Sequence, residues 1–208
     1  MGSARRDLGG ESAAQGRQPL TGGAAGGYDA LKYAYGETAD MNLFLTGPRQ
    51  VGKSTALGRA LDMSGLRAAG VVSTFGPDRF AAEKALYLAP FGGRAALDAA
   101  HCCARMDAQG KHPIPAVFDD CGAALLYAAM ADPAAELVVI DELGFLEAEA
   151  AGFRAAVLAA LAGPKPVLGV VRQGLGCWGG VDLGQLWEVT PENRDALPLN
   201  ILRFLSEQ

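Results

Sequence analysis

Residues 47–55 combine glycines, a lysine and two hydroxyl side chains at a spacing that suits the binding of a polyphosphate. The stretch fits the pattern G-x-x-x-x-G-K-[ST] and consists of Gly47-Pro48-Arg49-Gln50-Val51-Gly52-Lys53-Ser54-Thr55. The glycines allow a tight curve in which successive backbone N–H groups point inward and form a cradle for anionic oxygens. Lys53 can reach β- and γ-phosphates, and the Ser54 hydroxyl can bind Mg²⁺. We therefore predict a nucleotide phosphate site over Gly47 to Thr55.

A second candidate group is the acidic pair Asp141 and Glu142, which follows the apolar run 137–140. Four consecutive apolar residues are typical of a parallel strand that is covered on both faces. Ligands of such sheets bind at the carboxyl ends of the strands, so both carboxylates are expected near the phosphates. We predict that Asp141 binds Mg²⁺ and that Glu142 polarises the attacking water as a general base. Because side chains alternate along a strand, the two are expected to point to opposite sides.

A third candidate is Arg172, which follows the apolar run 166–171. If that run is another buried strand, the guanidinium lies at its carboxyl end and can contact the γ-phosphate as an arginine supplied within the chain. The alternative is a solvated charge in a loop. The sequence leaves both interpretations open.

The flanks of the glycine-rich stretch have the order of strand, loop and helix that a phosphate-binding loop requires. The apolar run 41–46 predicts a buried strand. Downstream, Leu57, Ala60 and Leu61 recur at helical spacing before Gly65, a typical helix stop. The candidate lysine is therefore expected at the start of a helix.

The other elements follow from shorter patterns. We predict strands over 70–74, 85–90, 116–118 and 187–190, with 85–90 antiparallel or at an edge, and helices over 119–131 and 153–161. Residues 94–113 show little periodicity and are expected to be loop with at most one short helix. Thr190 and Pro191 predict the N-cap and first residue of a final helix.

Length, charge and apolar content indicate the number of domains and the kinds of partner to expect. The chain has 208 residues, which suits one domain, and half of them are hydrophobic. With a net charge of −5 and no basic stripe, we expect no nucleic-acid partner. No apolar stretch approaches the ~20 residues that span a bilayer, and no signal-peptide pattern is present, so we expect no membrane partner and a cytoplasmic location. Glycine-rich residues 1–38 predict a tail, and residues 39–208 the domain.

The four cysteines are Cys102, Cys103, Cys121 and Cys177. They are few for a disulfide framework, so reduced thiols are the default. Together with His101 and His112 three of them could suggest a metal site, but the spacing matches no zinc pattern. Buried or half-buried thiols are the interpretation that we favour.

Three stretches together resemble a known family, the small P-loop nucleoside-triphosphatases, which include thermophilic archaeal and bacterial enzymes and the cancer-related nucleoside-triphosphatase. They are residues 45–55, residues 139–147 with the pattern D-E-x-G-x-x-E, and residues 189–194 with T-x-E-N-R. The likeness extends over roughly residues 41–206. It departs from the family at residues 73–77, where the family usually has a segment containing Glu and Arg, and after Val171.

This resemblance implies an α/β, three-layer, RecA-like P-loop fold, with a mostly parallel sheet and helices on both faces. It also implies Mg²⁺-dependent hydrolysis of nucleoside triphosphates such as ATP and GTP, with broad tolerance of the base. It supports site roles for Gly52, Lys53, Ser54, Thr55, Asp141 and Glu142.

Asn193 and Arg194 are implied by the same resemblance to lie near the base or ribose; a local cap and a surface charge are the alternatives. Two other functions remain open. One is a nucleotide or small-molecule kinase on the same fold, in which Asp141 or Glu142 serves an acceptor hydroxyl. The other is a non-catalytic nucleotide switch that binds a partner through the tail or the Cys102 region.

Overall fold

An eight-stranded mixed sheet lies at the centre of the computed structural model, which describes residues 41–175 and 178–207. The predicted tail over 1–38 and Cys177 lie outside the described residues. The strands are β1 (Leu43–Thr46), β2 (Ala68–Phe75), β3 (Lys84–Pro90), β4 (Cys102–Asp107), β5 (Gly110–Pro113), β6 (Leu137–Leu143), β7 (Val167–Val171) and β8 (Gln185–Glu188).

Across the sheet the strand order is β5-β4-β3-β2-β6-β7-β1-β8. Strands β2, β6, β7, β1 and β8 pair in parallel, and we call them the parallel half. Strands β3, β4 and β5 continue the sheet from β2 in antiparallel pairing, and we call them the antiparallel extension. The α/β class with a mixed, mostly parallel sheet is confirmed.

Helices cover both faces of the sheet. They are α1 (Lys53–Ser64), α2 (Pro115–Val117) with a π-helical turn (Phe118–Gly122), α3 (Ala123–Ala131), α4 (Ala151–Leu161) and α5 (Leu197–Ser206). The longest, α1, has 12 residues, and no helix within the described ranges has the length and apolar character to cross a bilayer.

Alternation along β6 shows how the two layers are built. Leu137 and Val139 pack in one buried cluster with residues of α1 and α5. Val138 and Ile140 pack in the other cluster with residues of α3 and α4. Because successive side chains point to opposite faces, the apolar run of β6 is buried on both sides. This burial fixes the strand whose carboxyl end carries Asp141 and Glu142.

The segment predicted to be loop, 94–113, is where the sequence interpretation is wrong. It contains the hairpin of β4 and β5. All four residues of β5 are exposed and none of them is a strand-forming apolar residue, so no alternation marks the strand. The turn is held by Asp107 Oδ1, which accepts the backbone N–H groups of Gln109 and Gly110 at 2.8 and 3.1 Å.

Two smaller predictions are also wrong. Residues 116–118 are helical rather than a strand, because Pro115 stands in the first turn of α2, where its missing N–H costs nothing. The final helix begins at Leu197 and not at Pro191. The backbone N–H of Thr190 is bonded to Asn193 Oδ1 at 2.9 Å, and this interaction supports a turn ahead of the helix.

Candidate functional site

The loop predicted to bind phosphate, called the phosphate loop below, lies between β1 and α1 in the predicted order of strand, loop and helix. Gly47 has φ 133° and Gly52 has φ 114°, a region that residues with a Cβ rarely adopt. A Cβ on Gly47 would also stand 2.5 Å from the carbonyl oxygen of Val189, so the loop lies directly against the backbone that follows β8. Both glycines are therefore required by the local geometry. Val51 is buried beneath the loop and anchors it to the core.

Lys53 is the first residue of α1 and is only 8% exposed. Its Nζ donates to the carbonyl oxygens of Gly47 and Pro48, both at 2.9 Å. Burial lowers the pKa of Lys53, while the carboxylates of Glu142 and Asp141 act in the opposite direction. The ammonium is thus held at the mouth of the loop.

The end of β6 meets the start of α1 through one hydrogen bond. Ser54 Oγ donates to Asp141 Oδ1 at 3.1 Å. Burial raises the pKa of Asp141, and the hydrogen bond from Ser54 opposes this shift. The two oxygens predicted to bind Mg²⁺ are therefore adjacent.

Glu142 forms an ion pair with Arg172, which follows β7. Glu142 Oε1 accepts from Arg172 Nη2 at 2.9 Å and from Nε at 3.1 Å. Both side chains are only partly exposed, and the guanidinium carbon lies 5.9 Å from the centre of the Phe145 ring. Arg172 is therefore held in the site by its partner, unlike a solvated loop charge.

The alternation expected for the acidic pair does not hold. Asp141 and Glu142 border the same cleft. The pairing of β6 with β7 shifts register between Asp141 and Leu143, so Glu142 is the extra residue of an irregularity in the strand. Since such an irregularity re-aims a side chain, both carboxylates face the phosphate loop.

The acidic pair, the loop and the antiparallel extension enclose an open cleft of about 350 Å³. The extension contributes side chains that sequence reasoning missed, because the hairpin was not predicted. The strand β2 adds residues of the segment that departs from the family pattern. The lining consists of Arg49, Gln50, Gly52, Lys53, Ser54, Thr55, Ser73, Phe75, Leu86, Met106, Lys111, Asp141, Glu142, Leu146 and Arg172.

Asn193 and Arg194 do not line this cleft among the residues that the structure describes. The Asn193 side-chain amide accepts from the backbone N–H of Thr190 and donates to the carbonyl of Glu188 at 2.8 Å. These two bonds make Asn193 a local cap, the alternative that the sequence left open. Arg194 lies beside the loop, since its Cδ is 3.8 Å from the place that a Cβ on Gly52 would occupy. Asn193 bonds the residues on either side of Val189, whose carbonyl faces Gly47 of the loop.

Glu147 is a buried carboxyl in the turn after β6, only 3% exposed. Its Oε1 accepts the backbone N–H of Gly144, and Trp178 Nε1 donates to the Gly144 carbonyl at 3.1 Å. Burial raises the pKa of Glu147, and the hydrogen bond from Gly144 opposes the shift. These contacts fix the turn that follows Asp141 and Glu142.

None of the described cysteines, Cys102, Cys103 and Cys121, lines the cleft. Cys102 and Cys103 are buried, as predicted, and burial raises the pKa of Cys103 to about 12, so its sulfur stays a thiol. His101 and His112 each pair with an aspartate, Asp98 and Asp107 respectively. Within residues 41–175 and 178–207, no three His, Cys, Asp or Glu side chains cluster closely enough to hold a metal ion.

Known proteins identify the family of this chain and support its fold. The model of the family described as NTPase matches residues 42–202. THEP1 from the hyperthermophile Aquifex aeolicus, known from a crystal structure, is similar with a TM-score of 0.59 and 20% identity, over 79% of this chain and 98% of that one. A human cancer-related nucleoside triphosphatase, known from a solution structure, is similar with a TM-score of 0.61 and 22% identity, over 80% of this chain and 98% of that one. At these identities the two structures support the fold alone. No curated protein matches the chain.

Proposed function

Because the chain belongs to the NTPase family and is therefore a nucleoside-triphosphatase, we propose that it hydrolyses ATP, GTP and other nucleoside triphosphates to the diphosphate and phosphate with Mg²⁺. One observation carries the proposal. A buried lysine, a serine–aspartate pair and an arginine-paired glutamate border a single cleft. Such a set suits phosphoryl transfer, which depends on positioning and on neutralising charge. The RecA-like arrangement that the resemblance implies is part of the proposal.

The oxygens of Ser54 and Asp141 fit a magnesium site. Mg²⁺ in nucleotide enzymes takes one or two protein oxygens and completes its shell with phosphate oxygens and water. The two side chains are 3.1 Å apart at their oxygens, so one ion could take both in place of their hydrogen bond. When bound, the ion would neutralise charge on the β- and γ-phosphates. A shell completed by phosphates also agrees with the lack of a larger ligand cluster in the described residues.

The phosphates would be held by the loop, with the backbone N–H groups of Gly47 to Thr55 as the cradle and Lys53 as its cation. Lys53 would exchange its bonds to Gly47 and Pro48 for phosphate oxygens, since an ammonium donates more strongly to an anion than to a carbonyl. Arg194 beside Gly52 would face the nucleoside end, with Asn193 shaping its turn.

Hydrolysis itself is assigned to Glu142, Arg172 and a water. The water oxygen bonds to the γ-phosphorus while the bond to the bridging oxygen breaks, and the diphosphate leaves. Glu142 orients and polarises the water and accepts its proton as the general base. The guanidinium of Arg172 fixes the Glu142 carboxylate and supplies positive charge for the γ-phosphate.

The test is phosphate release from ATP, GTP, CTP and UTP with Mg²⁺, repeated with candidate acceptors and with EDTA. We expect phosphate from several nucleotides without any acceptor, and none with EDTA. Release of the diphosphate only in the presence of an acceptor, with phosphate transferred to it, would instead identify a kinase. Tight nucleotide binding with negligible turnover would identify a nucleotide switch.

A further inference from the structure

The antiparallel extension brings a lysine to the cleft that the phosphate loop and β6 form. Lys111 of β5 is the cross-strand partner of Met106 of β4, and both side chains border the cleft. Directly paired residues point to the same face of a sheet. The hairpin therefore presents this face, with Lys111 at its exposed rim, to the phosphate loop.

The hairpin is held in a defined shape. Asp107 accepts two backbone N–H groups of the turn and pairs with His112 Nε2 at 2.9 Å. Lys111 lies between two of these anchored residues, Gly110 and His112, on the edge strand β5. A cation on such a hairpin is positioned by the backbone, which lowers the entropy cost of using it.

Positively charged side chains outnumber negatively charged ones in the cleft. Four cations, Arg49, Lys53, Lys111 and Arg172, border it together with two carboxylates. Lys53 and Arg172 are bonded to protein oxygens. The Lys111 ammonium has no hydrogen bond or ion pair with any described residue; partial burial and the guanidiniums of Arg172 and Arg49 lower its pKa, while the Glu142 carboxylate opposes this shift. A cation among like charges is stabilised when an anion enters.

We propose that Lys111 binds the γ-phosphate of the nucleoside triphosphate, so that the β4–β5 hairpin is a second wall of the nucleotide site. This inference rests on the proposed function. The γ-phosphate is chosen because Lys111 shares the cleft with Glu142 and Arg172, which are assigned to the terminal phosphate, whereas the loop backbone cradles the inner ones. A diphosphate would leave Lys111 without its ligand.

The experiment compares affinities for a non-hydrolysable Mg²⁺-ATP analogue and for Mg²⁺-ADP, by titration calorimetry on the full chain. Lys111→Met keeps most of the side-chain length and removes the charge. We expect the affinity for the ATP analogue to fall about tenfold, as for loss of one charge-assisted hydrogen bond, with ADP affinity unchanged. Lys111→Arg should retain the preference for the triphosphate.

Arg105→Met is the matched control. Arg105 is an exposed residue of β4, adjacent to Met106 and so on the opposite face, and its loss changes the net charge equally. It should alter neither affinity. Equal ATP affinity in Lys111→Met and the wild type would overturn the inference, as would an equal loss for ATP and ADP. A wild type that binds neither nucleotide would overturn the proposed function and this inference with it.

Discussion

The parallel half and the antiparallel extension border one cleft but are built differently. Strand β7 is buried along its whole length, whereas every residue of β5 is exposed. A Cβ added at Gly169 in β7 would overlap the Phe44 ring, whereas one added at Gly110 in β5 would have no atom within 4 Å. The groups assigned to chemistry therefore stand on a rigid, close-packed base. The extension adds one exposed cation from an edge.

The largest expected effect concerns the two carboxylates at the end of β6. Glu142→Gln keeps the shape of the side chain but loses the proposed general base, so turnover should fall roughly 10²–10⁴-fold while Mg²⁺-ATP still binds. Asp141→Asn should weaken Mg²⁺-dependent binding as well as the rate, because the proposed metal ligand is lost. Calorimetry with Mg²⁺-ATP and a phosphate-release assay measure both quantities.

The two carboxylates share the cleft, so this experiment also tests whether they share a role. Identical losses of affinity in both variants would contradict the separate assignments. Glu149→Gln, at an exposed position beyond the same strand, is the control and should leave binding and turnover unchanged.

The same two regions differ in how well the sequence predicts them. Strands β1, β6 and β7 are apolar runs because both of their faces are buried, so their positions and the phosphate loop between β1 and α1 were predicted. The hairpin was not, since β5 is a strand only by virtue of its pairing with β4. The shared orientation of Asp141 and Glu142 also escaped prediction, because it depends on the register of β6 against β7. The site roles stay predictions.

A smaller effect is expected from packing in the parallel half. Gly169→Ala should lower the free energy of unfolding by about 1–3 kcal/mol, since the new methyl group would displace the Phe44 ring. Gly58→Ala in α1 is the matched control, because an added Cβ there meets nothing within 4 Å. It should raise stability by about 0.5–1 kcal/mol through helix propensity. Urea denaturation measures both; a neutral Gly169→Ala would contradict the close packing of β7 against Phe44.

The smallest expected effect is a pH dependence of stability that arises from Glu147, in the turn after β6. Burial raises the pKa of Glu147 in the folded protein, so folding favours the protonated form. Its contribution to stability is complete below the ordinary glutamate pKa and is lost as the pH rises through the raised value. Glu147→Gln should lack this loss, so the difference in Tm between variant and wild type should grow with pH and vanish in acid.

Glu149→Gln again provides the control, with a Tm that follows the wild type at every pH. A Tm difference between Glu147→Gln and the wild type that stays constant with pH would contradict the burial of an ionisable carboxyl behind the acidic pair.

Nucleotide binding and phosphate release by Lys53→Ala, compared with Arg59→Ala, would test directly whether this cleft is the site of hydrolysis. Both variants remove one cation from α1, but Lys53 is buried in the phosphate loop and Arg59 is exposed on the same helix. We predict that folded Lys53→Ala binds Mg²⁺-ATP weakly and releases almost no phosphate, while Arg59→Ala keeps both activities. Wild-type phosphate release by folded Lys53→Ala would contradict the assignment of this cleft as the site of hydrolysis.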